Sequence, residues 1–158
     1  MPGARAKERG TSRGPRARVL FDTNVLLDVV LAREPWAADA AVLLDLAATG
    51  DVEGYLAAHA VTTIHYLVGK ERGRAVASTA VADLLSVLRV VELGVSDFQR
   101  ALALGLNDYE DAVQAAACLR VGAQFLVTRN PKDFRNAPVT PRSAGEVLAL
   151  LDALRAEE

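Results

Sequence analysis

The sequence contains very little cysteine and few aromatic residues. Cys118 is the only cysteine among its 158 residues, so no disulfide can form within the chain and no thiolate cluster is present to bind zinc. Aromatic residues make up 5% of the chain, and the single tryptophan, Trp36, is too little for a surface on which nucleic-acid bases stack. This cysteine usage leads us to expect a reducing, cytoplasmic location.

Long hydrophobic runs are also absent. No apolar stretch reaches the roughly 18 residues that a membrane-spanning helix needs, and the charged first residues are not followed by the apolar core of a secretory signal. We therefore expect no contact with a membrane. With 51% hydrophobic and 24% charged residues, the composition is that of one globular domain with a sizeable core.

Positive charge is concentrated at the start of the chain. Residues 1–18 hold six basic residues against Glu8 alone, a net charge of +5, so the remaining chain carries −7 within a total of −2. Residues 1–16 are also rich in glycine, proline and serine, which disfavour regular structure. We predict a disordered basic tail over residues 1–16. Two interpretations remain open: an arm that follows a polyanion such as RNA, and a solvated segment without a ligand.

Short apolar runs alternate with helical stretches over the rest of the chain. The periodicity predicts strands at residues 18–21, 54–56, 89–93 and 124–127, and a further edge strand at 139–140. Ser96, Asp108 and Ser143 are the predicted N-caps of three of the intervening helices. This alternation predicts an α/β fold with three layers, α/β/α, around a central, mostly parallel sheet of four to five strands.

Carboxylates lie at the ends of the predicted strands or at the start of a helix. Asp22 directly follows the first strand, Asp108 and Asp111 open a helix together with Glu110, and Asp133 follows the fourth strand. The carboxyl ends of parallel strands meet at one edge of a sheet, where ligands bind. Crowded carboxylates predict a site for a hard cation, Mg²⁺ or Mn²⁺, that binds phosphate and activates water. The alternative is that each acid only caps a helix or a turn.

Three blocks around these acids resemble, in order, those of the PIN-domain nucleases, the fold of VapC-type toxins. The blocks are residues 21–28 (FDTNVLLD), 108–117 (DYEDAVQAAA) and 125–134 (FLVTRNPKDF). The resemblance covers about residues 17–155 and implies a PIN-like nuclease domain there. It implies a metal-dependent ribonuclease, either the toxin of a type II toxin–antitoxin pair or a stand-alone RNA-processing enzyme. It further implies an RNA substrate, an antitoxin partner for the toxin, and a homodimer.

The resemblance also assigns roles to residues. Asp22 and Asp111 match the principal metal ligands, Asp108 is a further acid, and Asp133 is a candidate for the acid that the family often has at Asn130. These four aspartates form the predicted catalytic set. Auxiliary contacts to phosphate or water are predicted for a second group, for which purely structural roles are the alternative: Thr23, Asn24, Thr128, Arg129 and Asn130. For Arg129 that alternative is an ion pair with a carboxylate.

The block after the second strand departs from the family pattern. The family commonly has a glutamate there, whereas residues 60–67 contain no carboxylate. His65 lies near the expected position and is a candidate for metal binding, phosphate binding or proton transfer. The competing interpretation is a histidine packed against a neighbouring side chain. His59 is expected to be structural.

Two other functions compete with the nuclease. Phosphatases of the haloacid dehalogenase type also have a strand that ends in aspartate, but they need Asp-x-Asp, and the second position here is Asn24. The other candidate is a degenerate PIN fold that binds RNA or a protein without catalysis. The missing middle acid and Asn130 favour it, and absent turnover together with absent Mn²⁺ binding would identify it.

Overall fold

Five parallel strands form the central sheet of the protein. The computed structural model describes residues 15–158. Its strands are β1 (Arg18–Phe21), β2 (Glu53–Ala57), β3 (Arg89–Val91), β4 (Phe125–Val127) and β5 (Pro141–Arg142). Their order across the sheet is β3-β2-β1-β4-β5, and every neighbouring pair is parallel. The chain therefore builds the sheet outward in both directions from β1, and ligands of open α/β sheets bind where the strand order reverses in this way.

Seven α-helices cover the two faces of this sheet within the described residues. One face carries α1 (Thr23–Val30), α2 (Trp36–Ala48), α3 (Ala58–Arg72), α4 (Arg74–Val87) and α7 (Ala144–Ala156). The other carries α5 (Val95–Ala103), α6 (Tyr109–Val121) and a short 3-10 helix, Pro131–Phe134. The predicted three-layer α/β/α fold is thus confirmed, with five strands.

The central strand β1 contributes side chains to the hydrophobic cores on both faces of the sheet. Side chains alternate across a strand, so Val19 and Phe21 pack into the core under α1–α4 and α7, while Leu20 packs into the core under α6. All three side chains are fully buried. The neighbouring strand β2 lies so close to the helices that a Cβ at Gly54 would stand 2.5 Å from Leu88 Cδ2, so this position requires glycine.

Two of the three predicted helix caps are confirmed. The Asp108 carboxylate accepts a hydrogen bond from the Asp111 N–H at 3.0 Å, and the Ser143 hydroxyl accepts one from the Glu146 N–H at 3.2 Å. The prediction for Ser96 is wrong. Helix α5 begins after Gly94, whose N–H donates to Asp97 Oδ2 at 2.8 Å.

The predicted edge strand is displaced by two residues. Strand β5 is Pro141–Arg142 rather than residues 139–140. Its position is fixed by the ladder to β4, in which the Leu126 N–H donates to Thr140 O and the Thr128 N–H donates to Arg142 O, both at 3.0 Å. Hydrogen bonding to the neighbouring strand therefore outweighs the higher strand propensity of valine and threonine.

The predicted basic tail, residues 1–16, lies almost entirely outside the described residues and stays a prediction. The guanidinium of Arg16 donates to Gly50 O at 3.0 Å, at the turn between α2 and β2. Within residues 15–158, no helix is both long enough and apolar enough to cross a membrane.

Candidate active site

The carboxyl ends of β2, β1 and β4 lie side by side and lead directly into the site. Asp22 follows β1 and is 6% exposed. Its N–H donates to Val127 O of β4 at 2.9 Å, and Thr128 Oγ1 donates to Asp22 Oδ2 at 3.1 Å. The parallel register of β1 and β4, with Phe21 opposite Val127, therefore places the first acid beside the threonine.

Helix α6 brings the second acid to these strand ends. Asp111 lies in its first turn, and Gln114 lies three residues further along the same helix face. The Gln114 side-chain amide donates to Thr23 Oγ1 at 2.8 Å, and both side chains are buried. Since Thr23 directly follows Asp22, this bond ties the segment carrying one acid to the segment carrying the other.

Burial and mutual repulsion raise the pKa of both acids. Burial raises the pKa of Asp22 from an ordinary 3.8 to about 6, with nearby Glu110 acting in the same direction and the Thr128 hydrogen bond acting against it. Burial also raises the pKa of Asp111 to about 7, and repulsion from Asp108, Asp22 and Asp133 adds to the effect. These carboxylates are close enough to repel one another, and a divalent cation relieves such repulsion.

The donor set fits a hard divalent cation that keeps part of its water. Among residues 15–158, no three Asp, Glu, His or Cys side chains are placed to hold one ion together. Mg²⁺ often binds through only one or two carboxylates and fills its remaining positions with water and substrate phosphate. Asp22 and Asp111 are the two carboxylates with the burial and charge environment for this role.

A groove of about 540 Å³ opens beside Asp111. Asp108 and Asp133 line it together with two basic side chains, Lys132 and Arg135, which are exposed. Carboxylates suit a cation, and basic side chains suit phosphate oxygens. The lining of this groove therefore matches the two needs of a metal-assisted reaction on a phosphodiester.

The predicted auxiliary residues fall into different environments. Thr23 and Thr128 are buried beside Asp22, whereas Asn24 and Asn130 are exposed near it. The Asn130 N–H donates to Thr128 Oγ1 at 3.3 Å, so the same hydroxyl connects the loop after β4 to Asp22.

Arg129 points away from this group. Its guanidinium donates to both oxygens of the fully buried Asp28, at 2.6 and 2.7 Å, and stacks on the Trp36 ring at 3.8 Å from the ring centre. The contact with Asp28 matches the alternative given for Arg129, an ion pair with a carboxylate. Its role in the described structure is to attach the loop after β4 to α1 and α2.

The two histidines occupy different surroundings. His65 Nε2 lies 3.1 Å from Ser78 Oγ of α4, which matches the packed-histidine interpretation. His59 is the second residue of α3, and its Nε2 lies 3.9 Å from Glu110 Oε1. Burial lowers the pKa of His59, with Glu110 acting in the opposite direction. His59, rather than His65, therefore borders the acids.

Five residues at this site were absent from the predicted set. They are His59, Glu110, Gln114, Lys132 and Arg135. Two signals in the sequence point to some of them. Glu110 and Gln114 are four residues apart on the helix that carries Asp111, and two basic residues flank Asp133 in the block after β4.

Comparison with known proteins identifies a matching family and several similar folds. A family model described as the PIN domain matches residues 18–132. VapBC2 from Rickettsia felis, solved with a promoter DNA fragment, superposes with a TM-score of 0.65 at 16% identity, covering 80% of this chain and 98% of that one. DNA-bound VapBC from Salmonella typhimurium gives 0.65 at 14% identity, covering 81% and 98%.

A third similar structure is VapC20 from Mycobacterium tuberculosis, described as a toxin that cleaves the sarcin–ricin loop. Its TM-score is 0.56 at 18% identity, and it covers 68% of this chain and 86% of its own. At such identities the likeness to the solved structures concerns the fold. No protein in the curated set matches the sequence.

Proposed function

This chain belongs to the PIN domain family, and from that premise we propose that it is a metal-dependent endoribonuclease that hydrolyses phosphodiester bonds in RNA. The observation that carries the proposal is the pair Asp22 and Asp111, two acids on separate elements whose pKa values are raised by burial and by neighbouring acids. They would hold Mg²⁺ or Mn²⁺, with Asp108 as a further acid. Such an ion, when bound, activates water and offsets negative charge on the phosphate.

The chain's own residues keep this pair in place. The Thr128 hydroxyl fixes the orientation of the Asp22 carboxylate, and the buried bond between Gln114 and Thr23 limits movement of α6 relative to α1. Positioning of this kind is a large part of catalysis, because charged groups that are already oriented need no rearrangement during the reaction.

The groove beside Asp111 would take the RNA. Lys132 and Arg135 line this groove and would bind the phosphate oxygens of the RNA, and Asp133 would supply a further carboxylate there. The exposed amides of Asn24 and Asn130 would contact RNA or water at its edge. Basic side chains at the rim matter because the acids alone would repel a polyanion.

We further propose that the protein is the toxin of a type II toxin–antitoxin pair, acts in the cytoplasm and binds an antitoxin protein. The similar VapBC structures support the partner. A mainly apolar groove of about 600 Å³ between α1, α2 and α4, lined in part by Val30, Leu44 and Val76, offers surface for it. Apolar grooves between helices are one kind of surface into which a helix of a partner protein packs. We also propose a homodimer, through the exposed apolar side chains of Val95, Phe98 and Leu102 on α5.

RNA cleavage by the purified protein tests the central proposal. We expect a structured RNA to be cleaved with Mg²⁺ or Mn²⁺ and to stay intact in EDTA. Asp22→Asn and Asp111→Asn should each lower the rate on the order of 10²-fold or more, the effect of removing one strong electrostatic group from an active site. Asp152→Asn, a change at an exposed aspartate of α7, should leave the rate unchanged.

Cleavage that survives both active-site substitutions would contradict the assignment. A protein that neither cleaves RNA nor binds Mn²⁺ by calorimetry would instead be the degenerate PIN fold that binds RNA or a protein. The phosphatase interpretation is set aside, because the family match and Asn24 both oppose it.

A further inference from the structure

All the buried side-chain polar atoms that lack a hydrogen-bond partner within residues 15–158 lie beside the candidate active site. They are Nδ1 and Nε2 of His59 and Oε1 of Gln114. Buried polar atoms are nearly always paired, because an unpaired one has lost its water without compensation. Gln114 bonds the residue after Asp22, and His59 borders Glu110. This concentration of unpaired atoms in one place points to a ligand that binds there.

The position of His59 follows from the topology of the sheet. Strand β2 is the direct neighbour of β1, so the start of α3 lies beside Asp22 at the same edge of the sheet. Across from it, His59 Nε2 and Glu110 Oε1 are 3.9 Å apart, which is beyond hydrogen-bond distance. Glu110 is near both principal acids, since its charge contributes to the raised pKa of each.

The separation of 3.9 Å is suited to a bridging ion. Two ligand atoms that each lie about 2.1 Å from one divalent ion are at most about 4.2 Å apart. The separation of 3.9 Å lies within this limit, and rotation of the exposed Glu110 side chain would bring both groups onto one ion. At about pH 8 an ordinary imidazole is uncharged, so a ring nitrogen has a lone pair available for a metal.

The imidazole of His59 distinguishes the pair His59 and Glu110 from a metal site made only of oxygen ligands. Mg²⁺ is bound almost entirely by oxygen, whereas divalent transition metals also accept imidazole nitrogen. We propose that His59 and Glu110 bind a divalent transition metal, with Mn²⁺ as the probe, next to the pair Asp22 and Asp111. They would thereby give the site a preference for Mn²⁺ over Mg²⁺. This inference rests on the proposed function, because the ion would act at the same acids.

Pulsed EPR of the full-length protein loaded with Mn²⁺ tests the inference directly. A ring nitrogen on the metal produces ¹⁴N coupling, and the chain has only two histidines, so the signal can be assigned by substitution. We expect the coupling in the wild type and in the matched control His65→Phe, and we expect it to be lost in His59→Phe.

Calorimetric titration supplies a second measurement. His59→Phe should weaken Mn²⁺ binding by about tenfold or more, in line with the loss of groups that hold a metal, and should change Mg²⁺ binding by less than about twofold. Glu110→Gln should also weaken Mn²⁺ binding. In EDTA, His59→Phe should melt at or above the wild-type temperature, because it removes two unpaired buried nitrogens.

Wild-type protein that binds no Mn²⁺, or that binds it without ¹⁴N coupling, overturns the inference. Equal Mn²⁺ affinity in His59→Phe and wild type does the same. Absent ¹⁴N coupling and unchanged Mn²⁺ affinity in His59→Phe are separate from a failure of the proposed function. A protein that cleaves RNA with Mg²⁺, depends on Asp22 and shows no ¹⁴N coupling keeps the proposed function and loses only this inference.

Discussion

The carboxylate of Asp22 is 6% exposed, and the Thr128 hydroxyl donates a hydrogen bond to it. Burial nevertheless raises its pKa to about 6, so one hydrogen bond does not make up for the lost water. Between about pH 4 and pH 6 the folded protein therefore holds a proton that the unfolded chain releases. The contribution of Asp22 to the free energy of unfolding therefore falls as the pH rises through this range, and the charged carboxylate above it costs about 3 kcal/mol.

We predict that Asp22→Asn stabilises the metal-free protein at neutral to alkaline pH. In EDTA at about pH 8 the free energy of unfolding should rise by up to about 3 kcal/mol, and near pH 4 the variant and the wild type should be almost equal. Thermal or denaturant unfolding at both pH values measures this. Mg²⁺ should stabilise only the wild type, because binding to the folded state alone raises stability.

The control for this prediction is Asp152→Asn, at an exposed position. It should leave the stability difference between the two pH values unchanged. An Asp22→Asn protein that is less stable than wild type in EDTA at about pH 8 would show that the carboxylate is not penalised by burial.

The acids at strand ends could be predicted from the sequence, whereas the histidine beside them could not. Asp22 follows a strand and Asp108 and Asp111 open a helix, so their positions depend on local pattern alone. His59 and His65 are six residues apart, which corresponds to about 240° around a helix, so the two rings point in different directions. Which of them faces the acids depends on how α3 is rotated against β2, and that rotation is set by tertiary packing.

Helix α5 has a row of apolar side chains on its outer surface. Val95, Phe98 and Leu102 are 73%, 39% and 69% exposed, whereas Ala101 on the inner side is 1% exposed. The Tyr109 hydroxyl donates to Phe98 O at 3.0 Å, which attaches this helix to the start of α6 and thus to the acid-bearing turn. An unpaired apolar face on a helix is typical of an interface with another protein chain.

We predict that Leu102→Glu converts the proposed homodimer into a monomer. A buried charge without a partner at the centre of an apolar interface should weaken association by at least about tenfold. Sedimentation velocity over a range of concentrations measures the change. The control Leu154→Glu adds the same charge at a leucine of α7 that is 57% exposed, and it should leave the dimer intact.

Two outcomes would contradict this prediction. A wild-type protein that sediments as a monomer at all concentrations would show that the homodimer is wrong. A Leu102→Glu protein that remains a dimer would show that another surface than α5 joins the two chains.

The elements themselves were largely predictable, because alternation of apolar runs and helical spacing is a local property. The wrong prediction at the start of α5 involves a contact between residues that are far apart in the sequence. At the start of α5, the N–H of Gly94 donates to the Asp97 carboxylate rather than to Ser96. Arg120 of α6 donates to the same carboxylate at 2.9 Å. That choice depends on a residue 23 positions away along the chain, so no local pattern could show it.

The charge of the whole molecule opposes RNA binding. Beyond the first 18 residues the chain carries −7, so its long-range field repels a polyanion. Attraction must therefore come from local basic groups, and at the candidate groove these are Lys132 and Arg135. Two such groups release few counterions, so the contribution of the groove to the salt dependence of RNA binding should be small.

We predict that combined Lys132→Ala and Arg135→Ala substitutions reduce both affinity for RNA and its dependence on salt. For single-stranded RNA, the slope of log K against log salt should become less negative by about 1.4, since each phosphate contact contributes about 0.7. Fluorescence anisotropy at several salt concentrations, with Asp22→Asn present so that the RNA stays intact, measures the slope. The control is Lys70→Ala with Arg72→Ala, at the end of α3.

An unchanged slope in the Lys132 and Arg135 double variant would contradict this account of the groove. A loss in the control alone would place the RNA near the end of α3 instead.

Both edges of the sheet are short, and this has a consequence for how the protein behaves at high concentration. Strand β3 has three residues, and β5 has two, one of them Pro141, which has no N–H to donate. Long, flat edges recruit strands from other molecules and seed aggregation, whereas brief ones that contain proline do not. Chains crowded together in a cell or in a concentrated preparation are therefore directed to meet through their helices and to remain in solution.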